Sequence, residues 1–260
     1  MIGIEVRSRA AGARARRACP RVALTGPEAA LPPADAILVA VPDSAINACA
    51  EALAPRLHPA TRVVLHTSGL LPAGALAPVA RAARHVGSLH PLATFPSATG
   101  PAVGLDGVVA AIEGDRAATS AACSLARALG MRPVRITADL KPRYHAAAAL
   151  AANLPHALVA TAKGILVAVG FSQRAAAEAL RPLVTGAVES AAAAHGIENM
   201  TGPLARGDVG AVRSHLAALP EGAASAYRAV GRLALGALAS QDLLTESQIH
   251  ELDRALTVIP

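Results

Sequence analysis

The feature that most constrains this 260-residue chain is a change of hydrophobic period near its middle. Over the first half, short apolar runs recur at residues 2–6, 22–24, 37–41, 63–65, 86–89, 108–112 and 134–136, with Ala-rich helical sequence or turns between them. Short runs that are apolar on both faces and alternate with helices are strands of a mainly parallel sheet, covered by those helices. Turn signals such as Gly26-Pro27, Leu31-Pro32-Pro33 and Gly100-Pro101 punctuate them. From about Lys141 the strands stop. The remainder reads as helices over 144–169, 173–195, 208–219, 221–240 and from Thr245 onward. Ser172 and Asp208 are N-caps, and Thr245-Glu-Ser-Gln248 is a capping box. Pro155 and Pro182 should end or kink the helices that contain them. The expected architecture is an α/β domain over residues 1–138, followed by an all-helical domain over residues 139–260.

Composition narrows the function classes. Hydrophobic residues make up 53% of the chain, ample for a buried core, but aromatics are only 2% and Trp is absent. The core is therefore Ala, Leu and Val, whose small side chains let helices approach closely. The net charge of +6 comes from Arg spread along the chain, with Lys141 and Lys163 the only lysines. Without a basic motif or an aromatic stacking platform, that excess argues against a nucleic-acid partner. Cys19, Cys49 and Cys123 lack metal or redox spacing and read as small buried hydrophobes of a reducing compartment. The longest apolar stretch, around residues 156–171, is short for a bilayer span and carries Lys163, so no membrane association is expected. No apolar segment of the secretory type follows the Arg-rich N-terminus, which makes cytoplasmic location the default.

Three strand ends carry polar groups. The run 37–41 ends at Val41 and passes into Pro42, Asp43 and Ser44, the last two read as helix caps. The run 63–65 leads into His66, Thr67, Ser68 and Gly69. The third, 86–89, leads through Ser88 and Leu89 into His90 and Pro91. In an open α/β sheet, ligands bind beyond the carboxyl ends of the strands, where hydroxyl, imidazole and backbone N–H groups can wrap a cofactor or a carboxylate. The same residues also suit ordinary strand-to-helix turns. The Gly-x-Ser-x-Gly pattern of a serine hydrolase is absent. Lys141 and His145, four apart, share a helix face, and Asn153 follows two turns on. A cation able to protonate an alkoxide, with an amide to orient the substrate, suits carbonyl reduction. The alternative is a solvated Lys and a structurally satisfied Asn. Between later helices, the loop from Met200 to Asp208 could set Thr201 or Arg206 against an anionic substrate, or could simply connect two helices. The nine histidines show no metal-ligand spacing, so no metal is expected.

Taken in order, His66-Thr-Ser-Gly69, Ser88-Leu-His-Pro91, the segment from Lys141 to Asn153 and Thr201-Gly-Pro-Leu-Ala-Arg-Gly-Asp208 resemble one family across essentially the whole chain. It is the Rossmann-like family with a C-terminal domain of unknown function, within the 6-phosphogluconate dehydrogenase and pyrroline-5-carboxylate reductase superfamily, some of whose members look like ketopantoate reductases. The resemblance implies a dimeric, NADP-dependent oxidoreductase acting on a small keto acid or imine. It implies Lys141, His145 and Asn153 as catalytic residues, with Lys141 the proton donor. Ser8, Arg9, Val41, Pro42, Asp43, Ser44, His66 and Thr67 would meet the cofactor, and Ser68, Gly69, His90, Thr201 and Arg206 the substrate. A hydroxyl and a cation at Ser8 and Arg9, with Arg7 and Arg14 nearby, suit a 2′-phosphate and hence NADP. The spacing from Lys141 to Asn153 is wider than the family's Lys-x-x-x-Asn. The family's opening strand and Gly-x-Gly-x-x-Gly turn are not found ahead of residues 2–6, so the sheet is expected to be an incomplete Rossmann-like one. A non-catalytic scaffold that keeps the helical dimerisation domain is the alternative this departure raises.

Overall fold

The computed structural model describes residues 3–6, 8–82, 84–95, 103–194 and 196–257. Arg7, His195 and the Gly100-Pro101 turn lie outside the described residues. The chain divides into two compact units, Met1–Ala152 and Asn153–Pro260. The strands end earlier, near residue 136, and the first unit keeps the opening turns of the helix that follows them.

The first unit is α/β. A two-stranded parallel pair is made by β1 (Gly3–Glu5) and β2 (Ala23–Thr25), joined by helix α1 (Arg9–Ala18). The next elements are β3 (Ala36–Val39), α2 (Ile46–Leu53), β4 (Val63–His66), α3 (Ala77–Arg81), β5 (His85–Pro91), β6 (Val109–Gly114), α4 (Arg116–Ala128) and β7 (Arg132–Arg135). The five strands β3 to β7 form one sheet in sequence order. Every pairing in it is parallel except β5 with β6, which is antiparallel. The two sheets are not hydrogen-bonded to each other.

Successive residues of β4 serve opposite faces, as the strand period requires. Val63 and Leu65 join the core beneath α4 with Leu89, Ile112 and Cys123, while Val64 joins Val39, Ile46, Leu76 and Val79 on the side of α2 and α3. Each such side chain, fully buried, contributes roughly 1.5–3 kcal/mol of transfer free energy. Gly87, paired with Gly114, has to be glycine, since a Cβ there would meet the Glu113 carbonyl oxygen at 2.7 Å. Asp115 caps α4 by accepting from Ala117 N and Ala118 N, and it also takes Val86 N.

Helix α5 (Lys141–Ala148) follows the sheet and runs into a π turn at Ala149–Asn153, then into α6 (Leu154–Ala168). The helical path therefore does not end at Pro155. Pro155 has no N–H to give, and the wide turn just before it absorbs the missing bond. The continuous helix, Ala138–Ala168, is long and apolar enough by length and composition to cross a membrane, unlike the shorter stretch visible in the sequence. Its first turns instead carry Lys141 into the polar end of the first unit.

The second unit is helical, with α7 (Gln173–Ala191), α8 (Pro203–Arg206), α9 (Val209–Ala218), α10 (Glu221–Ala239) and α11 (Glu246–Thr257). Ser172 and Asp208 cap α7 and α9 through Ala175 N and Ala211 N. Thr245 and Gln248 exchange the reciprocal bonds of a capping box. Pro182 lies inside α7, which runs on through it. The core of this unit is Leu204, Val212, Leu235, Leu252, Ala255 and Leu256.

Candidate functional site

The carboxyl ends of β3, β4 and β5 lie side by side, because those strands are neighbours and parallel. Beyond β3 the chain turns through a short 3-10 helix, Asp43–Ala45. No side-chain cap bond forms there, so Asp43 and Ser44 are not caps. Asp43 Oδ2 instead accepts from Ser68 Oγ at 2.7 Å, and Ser68 Oγ in turn accepts from Leu70 N and Leu71 N. That hydroxyl is thereby fully employed in holding the loop after β4.

His66 ends β4 and is wholly buried. Its Nδ1 accepts from Ser68 N at 3.1 Å, so Nε2 carries the proton and donates to the Pro72 carbonyl at 3.1 Å. Burial holds its pKa below the usual imidazole range. The Lys141 charge acts in the same direction, and the Pro72 bond and Asp43 oppose.

Lys141, at the first position of α5, is 0% exposed. Its Nζ donates to the Ser68 carbonyl at 3.0 Å and to Ser88 Oγ at 2.8 Å. Ser88 Oγ stands 3.4 Å from Glu113 Oε2, which accepts from Ala73 N at 2.7 Å. Desolvation lowers the lysine's pKa, against the pull of Glu113 and Asp43. A buried ammonium persists only with such partners.

One turn along α5, Tyr144 Oη lies 2.7 Å from His90 Nδ1, with the two rings edge to face. His145 packs edge to face against the same ring. Both imidazoles rest on Gly69. A Cβ at that position would come within 2.7 Å of His145 Nδ1 and 2.9 Å of His90 Nε2, which only glycine avoids. His145 Nδ1 is buried without a hydrogen-bond partner. Burial pushes His90 down to about 4, aided by His145 and Lys141 and opposed by Asp43. Burial pushes the Tyr144 phenol up to about 12.

The structure thus brings together Asp43, His66, Ser68, Gly69, His90, Lys141 and His145. Val41 and Thr67 are half-buried on the adjoining strand ends, and Pro42 and Ser44 are exposed beside Asp43. Asn153 is exposed at the end of the π turn and opens the second unit. Thr201 and Arg206 also belong to the second unit, both exposed, with the Arg206 carbonyl accepting from Gln248 Nε2. Glu113 and Tyr144 were not singled out from the sequence. A carboxylate at the end of the apolar run Val109-Ala-Ala-Ile-Glu was the signal for the first, and for the second there was only that it is one of two tyrosines.

Ser8 caps α1, accepting from Ala11 N. With Arg9, Arg16, Thr25 and Gly26 it lines a cavity of about 590 Å³ beside β1 and β2. Arg14 is half-buried and does not line it.

Comparison with known proteins places this arrangement. Residues 1–96 match a Rossmann-like domain, and residues 108–234 match a domain of unknown function, DUF2520. Protein TM1727 from Thermotoga maritima shares the fold with a TM-score of 0.73 at 24% identity, over 92% of this chain and 91% of that one. A Bacteroides fragilis protein, BF3122, provisionally assigned as an NADP oxidoreductase, aligns with a TM-score of 0.66 at 19% identity, over 94% and 88%. Pyrroline-5-carboxylate reductase from Coxiella burnetii gives 0.53 at 16%, over 99% and 89%. No curated protein matches the sequence. The fold is the α/β and then all-helical one expected from the sequence, with one antiparallel strand pairing added, and the DUF2520 match begins within the α/β part, at β6.

Proposed function

We propose that the chain is an NADP-dependent oxidoreductase that reduces a small keto acid or imine, the ketopantoate-reductase-like members of its superfamily being the pattern. The observation that carries the reading is the meeting of His66, Ser68, His90 and Lys141 beyond the carboxyl ends of adjacent parallel strands, where ligands of open α/β sheets bind. Perturbed ionisable groups gathered at such an edge favour chemistry over a merely structural role.

The residues present fit one end of the cofactor. Arg9 and Arg16 are seven apart on α1, hence on one face, and both line the cavity with Ser8 and Thr25. Two guanidinium groups and two hydroxyls, with no carboxylate in the lining, suit a 2′-phosphate. Pro42, Asp43, Ser44 and Thr67, flanking His66, are placed to meet the remainder. When bound, the nicotinamide would supply the hydride. The residues of this chain bind, orient and handle the proton.

The two sheets of the first unit separate where the doubly wound order places its first strand. In the doubly wound order 3-2-1-4-5, β1 and β2 of this chain take the second and third places and β3 the fourth. The first place then falls at the break between the sheets. A homodimer is supported by α6, which buries none of its residues although Leu154 is 52% and Leu158 42% exposed.

NADPH titration of this chain, and of a form extended upstream in the reading frame, tests the proposal. Binding by the extended form, weakened about tenfold for NADPH but not NADH by Arg9→Ala, is expected. If neither form binds NADPH, the oxidoreductase reading falls and the non-catalytic scaffold takes its place.

A further inference from the structure

Of the ionisable groups gathered at the strand ends, two are sealed. His66 has both ring nitrogens engaged and is 0% exposed; Lys141 is 0% exposed, with its ammonium donating to Ser68 O and Ser88 Oγ. For either to meet a substrate, bonds that hold the loop after β4 would have to break. His90 is different. It is half-buried at the carboxyl end of β5, the edge where ligands of open α/β sheets rest; its Nδ1 faces Tyr144 Oη at 2.7 Å, and its Cε1 and Nε2 pack against Gly69.

The proton on this ring can be located. Burial and the charges of its neighbours keep His90 neutral near pH 7, since its pKa is about 4, and Tyr144, raised to about 12, keeps its phenol proton. A neutral imidazole holds one proton and a phenol needs an acceptor. Tyr144 therefore donates to Nδ1, and the ring proton sits on Nε2. In the opposite tautomer Nδ1 would donate to Tyr144 Oη, and the proton of the half-buried phenol would have to go to solvent.

We infer that His90, rather than Lys141, hands the proton to a carbonyl substrate, and that Tyr144 is the positioning residue that sets the His90 tautomer and refills its ring. The inference rests on the reductase reading and deepens it by choosing between substrate classes. Adding hydride to a carbonyl carbon, with a reduced nicotinamide as the two-electron donor, moves the C=O π pair onto oxygen, which must then be protonated. The Nε2 proton goes to that oxygen as the Tyr144 proton moves to Nδ1, and the phenolate left behind is reprotonated from solvent. Hydride addition to an iminium carbon gives a neutral amine directly and needs no donor. A ketone, a keto acid or a neutral imine does need one, so the relay points to a substrate that arrives unprotonated, a ketone or keto acid first among them. The groups that face His90 are Tyr144, His145 and Lys141 from α5 and Asp43 from the turn after β3. Glu113 on β6 is committed to Ala73 N.

Two measurements on the full chain, in the form that binds NADPH, test this. Long-range ¹H–¹⁵N NMR of the histidine rings should show His90 as the Nε2–H tautomer from pH 5 to 8, and Tyr144→Phe should raise its titration midpoint and mix the tautomers. An Nδ1–H tautomer, or a ring indifferent to Tyr144→Phe, overturns the relay. With NADPH and a panel of 2-oxo acids of three to six carbons beside 1-pyrroline-5-carboxylate, turnover of an oxo acid is expected. His90→Gln should lower its kcat roughly 100-fold or more with little change in KM, while Tyr144→Phe lowers kcat less and shifts its pH profile. Full kcat in His90→Gln overturns the donor role, and reduction of the pyrroline alone overturns the choice of substrate class. If the wild-type chain binds NADPH but reduces nothing on the panel, the donor role falls; if it does not bind NADPH, the reductase reading has failed first, and the NMR result still reports on Tyr144.

Discussion

Lys141 and Glu113 should behave as one buried electrostatic unit. Lys141→Met replaces a fully buried ammonium with an apolar chain of similar length and leaves Glu113, 7% exposed, without the cation beneath Ser88. Glu113→Gln does the converse, keeping a group able to take Ala73 N but stranding the ammonium. Removing one partner of a buried pair costs about 3–5 kcal/mol, whereas replacing both costs less than the two single losses added. Each single change should therefore destabilise the first unit by about 3 kcal/mol. The double change should cost about 4 kcal/mol in place of 6, a coupling of about 2 kcal/mol. The chain has no Trp and two tyrosines, Tyr144 in the first unit and Tyr227 in the second. In a Tyr227→Phe background, tyrosine fluorescence during urea unfolding follows the first unit alone. Additivity within about 0.5 kcal/mol would refute the pairing, and so would single losses of less than about 1 kcal/mol, since that would mean the ammonium is not desolvated.

Acid should weaken the first unit through His90. With a folded pKa of about 4 against 6.5 for the free group, the native state binds fewer protons than the unfolded chain between those values, so stability falls as pH drops through that window. The full shift converts to about 3 kcal/mol, and solvent screening of the half-buried ring reduces it to about 2, with His66 acting in the same direction; His90→Gln should flatten the pH 4–6.5 limb in urea titrations, and an unchanged slope counts against the burial of His90. Light scattering after size exclusion should give twice the chain mass for the wild type and the single-chain mass for Leu154→Glu/Leu158→Glu. Dimers that survive the double change would place the interface elsewhere.

The sequence made the architecture legible because its two periods differ. Short apolar runs with intervening helices announce a parallel sheet, and the caps Ser172, Asp208 and Thr245 marked helix starts that the structure keeps. What it did not disclose were features decided by three-dimensional pairing. The antiparallel β5–β6 pairing depends on Gly87 facing Gly114, a close approach that no local pattern encodes. Asp43 looked like a cap, because Asp before an apolar helix is one, but Ser68 competes for its carboxylate from 25 residues away. Glu113 and Tyr144 acquire meaning only through Lys141 and His90, partners distant in sequence. The π turn was hidden for a different reason: an Ala-rich segment carries no signature of one extra residue in a turn.

The sealing of Lys141 bears on how the molecule can be handled. The chain has two lysines, and one of them presents no surface to reagent. Amine-directed coupling at a side chain is thereby confined to Lys163 on α6, a residue outside the ionisable cluster, with the α-amino group the other amine to be blocked.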